Sequence, residues 1–334
     1  MAARAAIFGC AGPELGAEER AFFRESDPWG FILFARNLEE PEQIRRLTAE
    51  LRAAVGRDAP ILIDQEGGRV ARLAAPHWTV WDDPLPFVAR CGDAAEAAMR
   101  LRYHVIGTEL RALGIDVNCA PMADIATATT HAVIRSRCYG TDAETVARIG
   151  RAVADGLADA GVLPVLKHIP GHGRTDLDSH TDLPDVDASL LVLRAEDFAP
   201  FRALADLPLG MTAHVVYPAI DAEACATWSP DVIAEIRGTI GFDGLLMTDD
   251  LSMHALSGPF DMRVSRALTA GCDMILHCNG APDEMADIAA AAPRLEGRAL
   301  ARAEAALAAR RAPQPLDIAE ALERLGAIRE TADA

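Results

Sequence analysis

The chain has 334 residues, half of them hydrophobic, and a formal net charge of −18. That is enough apolar material for one large barrel or two ordinary domains. Basic residues are outnumbered 32 to 50 and do not cluster, which excludes a nucleic-acid surface, and no apolar run reaches the roughly 20 residues of a membrane span.

Short apolar runs with β-branched residues recur along the chain, separated by helical patterns. The start, MAARAAIFGCAG, ends at Cys10 much as a lipoprotein processing site does. Its apolar stretch is too short for a signal segment, so AAIFGC from Ala5 reads as a first strand. GFILF from Gly30 is the second. Pro41–Val55 then has Pro in its first turn, Ile44, Leu47 and Leu51 on one face, and Gly56 as a stop, which predicts a helix. PILID from Pro60 follows, and Asp93 with Glu96 has capping-box spacing ahead of a helical run that ends at Gly114. GIDVNCAP from Gly114 is the fourth strand; Thr141 with Glu144 repeats the capping spacing, and Gly161 ends that helix. VLPVLK from Val162, LGMTAH from Leu209, GLLMTDD from Gly244 and CDMILHC from Cys272 complete the strands, with Ser229-Pro230 opening a helix among them. After Gly297 an Ala-rich helical tail, about 298–334, is broken at Pro313 and Pro315 and is expected to pack outside the barrel.

Eight strands alternating with helices over about 300 residues predict an α/β fold, a (β/α)8 barrel, with a doubly wound open sheet as the alternative. No Pro/Gly/Ser linker and no repeat interrupts the chain, so 1–334 reads as a single domain. Seven scattered cysteines without a CxxC pair argue against a disulfide framework or a zinc knuckle. Reduced thiols in a soluble cytoplasmic protein are the economical reading.

Every dense polar cluster follows a strand. PILID runs into Gln65-Glu66-Gly67-Gly68-Arg69 with Arg72 beyond, and CAP leads to Asp124, Arg135 and Arg137. The fifth strand ends at Lys167 and His168, the sixth at His214, and the seventh at Asp249-Asp250. After Lys167-His168 comes a loop with Pro170, Gly171 and Gly173, which cannot be regular helix, and then Asp178 and His180. Taken singly, each charged residue could be a strand-end cap or a surface ion pair. Together, at the carboxyl ends of barrel strands, they describe a polar pocket suited to a neutral, hydroxyl-rich ligand.

From about Gly12 to about Asn279 the chain resembles family 3 glycoside hydrolases, in particular the bacterial β-N-acetylglucosaminidases of cell-wall recycling. The resemblance rests on GFILFARN (30–37), DQEGGRV (64–70), GIDVNCAP (114–121), KHIPGHG (167–173), DSH (178–180) and TDDLSM (248–253), in one order. It implies that Asp249 is the nucleophile, forming a covalent glycosyl-enzyme that water breaks with net retention. In an extended strand end Asp249 and Asp250 point to opposite sides, so only one can face the pocket. His180 matches the general acid/base and Asp178 its orienting partner, an imidazole in place of the second carboxylic acid of most retaining glycosidases. An unperturbed imidazole, titrating at about 6.5, can donate and then accept a proton near neutrality. Asp64, Arg72, Arg137, Lys167 and His168 match sugar-binding positions. Ile169 stands where the family commonly has Phe, and Arg135 where Gly is usual, which leaves open how the loop holds Arg137.

Three rivals are weaker. His168, His172, Asp176, Asp178 and His180 are potential metal ligands, but Pro170 and Gly171 break the helix that a His168/His172 pair would need. Gly9, Gly12 and Gly16 lack dinucleotide spacing. A non-catalytic sugar-binding protein would need neither Asp249 nor the Asp178/His180 pair. The resemblance implies a retaining exo-β-N-acetylglucosaminidase acting on N-acetylglucosamine linked to 1,6-anhydro-N-acetylmuramic acid, with or without a stem peptide, and the protein is expected to be a monomer. It has no cofactor or metal and a small carbohydrate as its only partner. A glycoside phosphorylase or β-glucosidase of the same fold is the alternative.

Overall fold

The computed structural model describes residues 2–177 and 183–332. In chain order the strands are β1 (Arg4–Gly9), β2 (Pro28–Leu33), β3 (Ile61–Ile63), β4 (Val117–Asn118), β5 (Leu163–Ile169), β6 (Leu209–Thr212), β7 (Val216–Tyr217), β8 (Asp221–Cys225), β9 (Leu245–Asp250) and β10 (Met274–His277). β1 to β6, β9 and β10 close a barrel in that order, every neighbour parallel. These are the eight segments expected from the sequence, and closure excludes the open doubly wound sheet. The antiparallel β7–β8 pair was not anticipated. Its strands are short, and β8 reads DAEAC, whose apolar positions are alanine and cysteine rather than the β-branched or aromatic residues that mark a strand.

Side chains alternate across each strand. Ala5 and Ile7, Leu62, Val117, Leu163 and Val165, Leu209 and Met211, Leu245 and Met247, and Met274 and Leu276 fill the barrel interior. The alternate set, including Phe8, Ile63, Leu166, Leu246 and Ile275, faces the surrounding helices. The tail needs a correction. Its first helix, Gly297–Ala308, places Ala303 and Ala306 in the interior cluster with Leu300 and Leu307 against it. It closes the amino-terminal mouth of the barrel, because the strand starts leave an apolar opening that a stripe of Ala and Leu can cover. The last helix, Ile318–Ala332, packs outside, against Pro84–Cys91 and Ala95–Ala112.

Most helix boundaries follow the sequence signals. Pro41–Val55 ends at Gly56, φ +66°, and Ser229 Oγ caps Pro230–Glu235 by accepting from Val232 N at 3.2 Å. Both capping boxes are displaced. Asp93 lies in a 3-10 turn, and the helix starts at Ala95 without a side-chain cap. The cap of Ala143–Asp159 is Asp142, one residue past Thr141, accepting from Thr145 N at 2.9 Å. No helix among the described residues is long and apolar enough to cross a membrane.

Helices Ala95–Ala112 and Ala143–Asp159 meet through glycine. A Cβ on Gly156 would lie 2.3 Å from Arg100 O, and one on Gly107 2.5 Å from Ala160 Cβ. Helix propensity alone would make Gly156→Ala stabilising by about 1 kcal/mol. Here the methyl meets backbone, and overpacking costs about 1–3 kcal/mol. The substitution should therefore destabilise by about 1 kcal/mol net. A lower urea midpoint is expected, and a raised one would show that the helix pair can separate freely.

Candidate active site

At the carboxyl end of the barrel lies a cavity of about 450 Å3 lined by Asp64, Arg72, Arg137, Lys167, His168 and Asp249. Their positions follow from strand parity. Asp64 continues the inward series of Leu62, Lys167 that of Leu163 and Val165, and Asp249 that of Leu245 and Met247. Apolar side chains fill the lower barrel, and the next inward residue of three strands is charged. Phe34, Met211, Met253 and Leu276 provide apolar wall. A groove of about 510 Å3 at the other end, beside the Gly297–Ala308 helix, is lined by alanines, glycines and a few charged residues, and its Arg302 is already paired with Asp243 and Asp273.

Glu66 organises the charged floor. Its carboxylate is 1% exposed and accepts from Arg137 Nε and Nη2 at 2.9 and 2.8 Å, with Lys167 Nζ at 2.6 Å. Lys167 Nζ also donates to Asp64 Oδ1 at 2.7 Å, and Arg72 Nη2 lies 3.6 Å from Asp64 Oδ2. Burial opposes ionisation of Glu66 and Asp64, yet the adjacent cations outweigh it and hold both carboxyls below their ordinary values. Burial likewise opposes the charge on Lys167 and Arg137, and the same carboxylates reverse it, keeping both cations protonated well above neutrality. Beyond its place in DQEGGRV nothing in the sequence marks Glu66 for this role; only the fold brings 66, 137 and 167 together.

A second group fixes His168. Fully buried Asp124 accepts from His168 Nδ1 at 2.7 Å and from His172 N at 2.5 Å. With Nδ1 engaged, Nε2 is the His168 nitrogen left for a ligand. The Lys167–His168 peptide is cis. His172 Nδ1 pairs with Thr175 Oγ1 at 2.8 Å, and Gly171 O accepts from Tyr217 of β7, so the unanticipated hairpin props this loop. A Cβ on Gly173 would sit 2.0 Å from Ile125 O, so only glycine fits there. Burial, and then the neighbouring His168, push His172 down to about 4.

Contrary to the expectation that only one of them could face the pocket, Asp249 and Asp250 both reach the cavity wall, because the strand ends at Asp250; their carboxylates are used differently. Asp250 accepts from Ser252 N and Oγ at 3.0 and 2.6 Å and from Cys278 N at 3.1 Å. Asp249 Oδ1 accepts from Asp250 N at 2.8 Å while its side chain follows the inward row. His214 is buried between them and Thr227, with Nε2 3.1 Å from Asp250 O and Nδ1 2.7 Å from Thr227 Oγ1. Arg135, the departure from the family pattern, turns its guanidinium onto Thr127 O and leaves Arg137 to Glu66. Asp178 and His180 lie outside the described residues. Among those described, no three His, Cys, Asp or Glu side chains are grouped to hold a metal ion, and His168 and His172 take their Nδ1 partners from protein.

The model of the glycosyl hydrolase family 3 N-terminal domain matches residues 15–312. The β-hexosaminidase of Bordetella avium is 38% identical over 281 residues, covering 80% of this chain and 79% of that protein. That of Alkalilimnicola ehrlichii is 39% identical over 283 residues, covering 82% and 80%. NagZ from Neisseria gonorrhoeae, solved with N-trifluoroacetyl-D-glucosamine, superposes with a TM-score of 0.85 at 31% identity, covering 99% of this chain and 98% of that one.

Two predictions follow from the buried groups. Glu66→Gln leaves Lys167 and Arg137 without their shared charge, and losing one partner of such a set costs about 3 kcal/mol. Chemical denaturation should show a loss of that order, and a change below a few tenths would mean that solvent replaces the carboxylate. For His172, the unfolded chain takes up a proton near 6.5 and the folded one only near about 4. Between those values the unfolded state binds more protons, so stability falls as the pH falls through that window. His172→Gln should flatten this part of the stability–pH curve; an unchanged slope would assign it to other groups.

Proposed function

The chain belongs to glycosyl hydrolase family 3, and on that premise we propose that it is a retaining exo-β-N-acetylhexosaminidase. The observation that carries the mechanism is the division of labour at the end of β9. Asp250 is held by three donors, and Asp249 is the acid delivered by the inward row to the cavity. Asp249 attacks the anomeric carbon, and His180, oriented by Asp178, protonates the leaving oxygen. The glycosyl-enzyme is then broken by water, from which His180 removes the proton, so configuration is retained. Asp64 accepts from sugar hydroxyls. Lys167 and Arg137, anchored on Glu66, direct their remaining N–H groups to hydroxyl or acetamido oxygens, with Arg72 and His168 Nε2 completing the set.

The natural substrate on this reading is a cell-wall fragment in the cytoplasm, N-acetylglucosamine linked to 1,6-anhydro-N-acetylmuramic acid with or without a stem peptide. The names of the relatives and the N-acetylglucosamine analogue bound by the gonococcal protein support the acetamido sugar. Comparing aryl β-N-acetylglucosaminide with aryl β-glucoside tests it directly: the first should be turned over far faster, and a preference for the glucoside would overturn the assignment.

Asp249→Asn should abolish turnover with the fold intact, because an amide cannot act as the anionic nucleophile. A 5-fluoro analogue of the substrate, slow to deglycosylate, should label Asp249 in the unmodified enzyme, as read by peptide mass spectrometry. A label on Asp250 would exchange their roles.

A further inference from the structure

One cation at the cavity mouth is used by nothing described so far. Gly67–Val70 form a tight turn, with Gly67 N to Val70 O at 3.1 Å and Gly67 and Gly68 at φ +90° and +58°. The turn is held from behind. Gly68 N donates to Trp81 O at 2.9 Å, and Arg69 N donates to Asp83 Oδ1 at 3.0 Å. The buried Arg102 guanidinium donates to Glu66 O and Asp82 O, both at 2.9 Å. A Cβ on Gly67 would be 2.0 Å from Arg102 Nη2, and one on Gly68 1.9 Å from Asp83 Oδ1, so the turn sits directly on its supports. At its corner the Arg69 side chain is exposed and lines the cavity, with no ion-pair partner among the described residues. The other cations of the site are engaged: Arg72 with Asp64, Arg137 with Glu66, and Lys167 with both acids. In a chain of net charge −18, an arginine on a braced turn with no carboxylate partner among the described residues is available to a ligand.

We propose that Arg69 is a specificity determinant that binds a carboxylate on the leaving portion of the substrate. The assignment rests on the exo-glycosidase reading above, in which the terminal sugar occupies the inner cavity and the leaving portion lies at the mouth. The inner ligand is neutral, and its polar partners are already present. An exposed arginine at the lip reaches only what projects outward. A guanidinium fork matches the two oxygens of a carboxylate. Phosphate fits less well: the backbone N–H groups of Gly68 and Arg69 that could cradle it are already donating, and a dianion would approach Asp64, Asp249 and Asp250.

The test uses two β-N-acetylglucosaminides with the same lactyl-type leaving group, ending in a carboxylate or in its primary amide. Wild-type enzyme should favour the carboxylate by about 5-fold in kcat/KM, the upper range for an exposed ion pair, through KM and less at high salt. Arg69→Gln should bring the ratio to about one, and Arg69→Glu should invert it. Because the ratio is measured within each variant, a partial loss of folded enzyme cancels. A wild-type ratio of one, or a ratio unchanged in Arg69→Gln, overturns the assignment. Turnover of the amide by wild type separates the two readings. Turnover without discrimination sinks the carboxylate subsite alone, and no turnover of either glycoside sinks the glycosidase reading and the subsite with it.

Discussion

The constraint on which the rest of the structure depends is the alternation of side chains in a closed barrel. Once eight parallel strands close, every second residue must point at the axis, where there is no solvent until the strands end. Low in the barrel that requirement is met by Leu163, Val165, Leu245 and Met247, and the Gly297–Ala308 helix seals the opening below them. At the upper end the same rows continue into Lys167 and Asp249, and the row of Leu62 into Asp64. The site is thus the last layer of the barrel core, with charge in place of hydrocarbon. Its side chains inherit the rigidity of the strands that carry them.

Charge in that position is costly unless it is paired, and the pairing here is nearly complete. Glu66, on the loop after β3, binds a lysine from β5 and an arginine from the loop after β4. It neutralises cations that a buried site could not otherwise hold and fixes their direction. Its own backbone is fixed in turn, since Arg102 and Tyr103 both donate to Glu66 O. Arg102 has no carboxylate partner among the described residues and lies over the rings of Trp81 and Phe87. The chain of support runs from a buried helix residue, through one acidic side chain, to the groups that face the ligand.

Much of this was legible in the sequence, and the failures share a cause. The barrel strands carry short apolar runs that end in polar clusters, and parity puts Asp249 on the inward row, but at the strand end Asp250 reaches the cavity wall as well. What could not be read is whatever depends on distant partners. Glu66 looks like any other acid in a glycine loop until residues 137 and 167 fold onto it. The Gly297–Ala308 helix has the composition of a surface tail, and only the closed barrel supplies the apolar mouth it covers. The β7–β8 pair is short and β8 is built on alanine, so nothing local marks it as strand; its buried Tyr217 and Cys225 find their partners only in the fold. The displaced caps are a finer error: Asp93-x-x-Glu96 and Thr141-x-x-Glu144 have the right spacing, but a 3-10 turn delays one helix and Asp142 is the better acceptor in the other.

A fixed network also determines what the site can do for a neutral ligand. Hydroxyl and amide oxygens bind weakly to donors that must first be pulled from water or from one another. Here the donors are already desolvated and held by Glu66 and Asp124, so on the proposed reading a sugar would meet hydrogen bonds whose orientation is settled before it arrives. Asp64, Glu66 and Asp124 stay ionised below the ordinary carboxyl range, and Lys167 and Arg137 stay protonated far above neutrality. These five groups therefore keep one charge state across the neutral range. On the proposed mechanism, proton movement must come from groups other than these five.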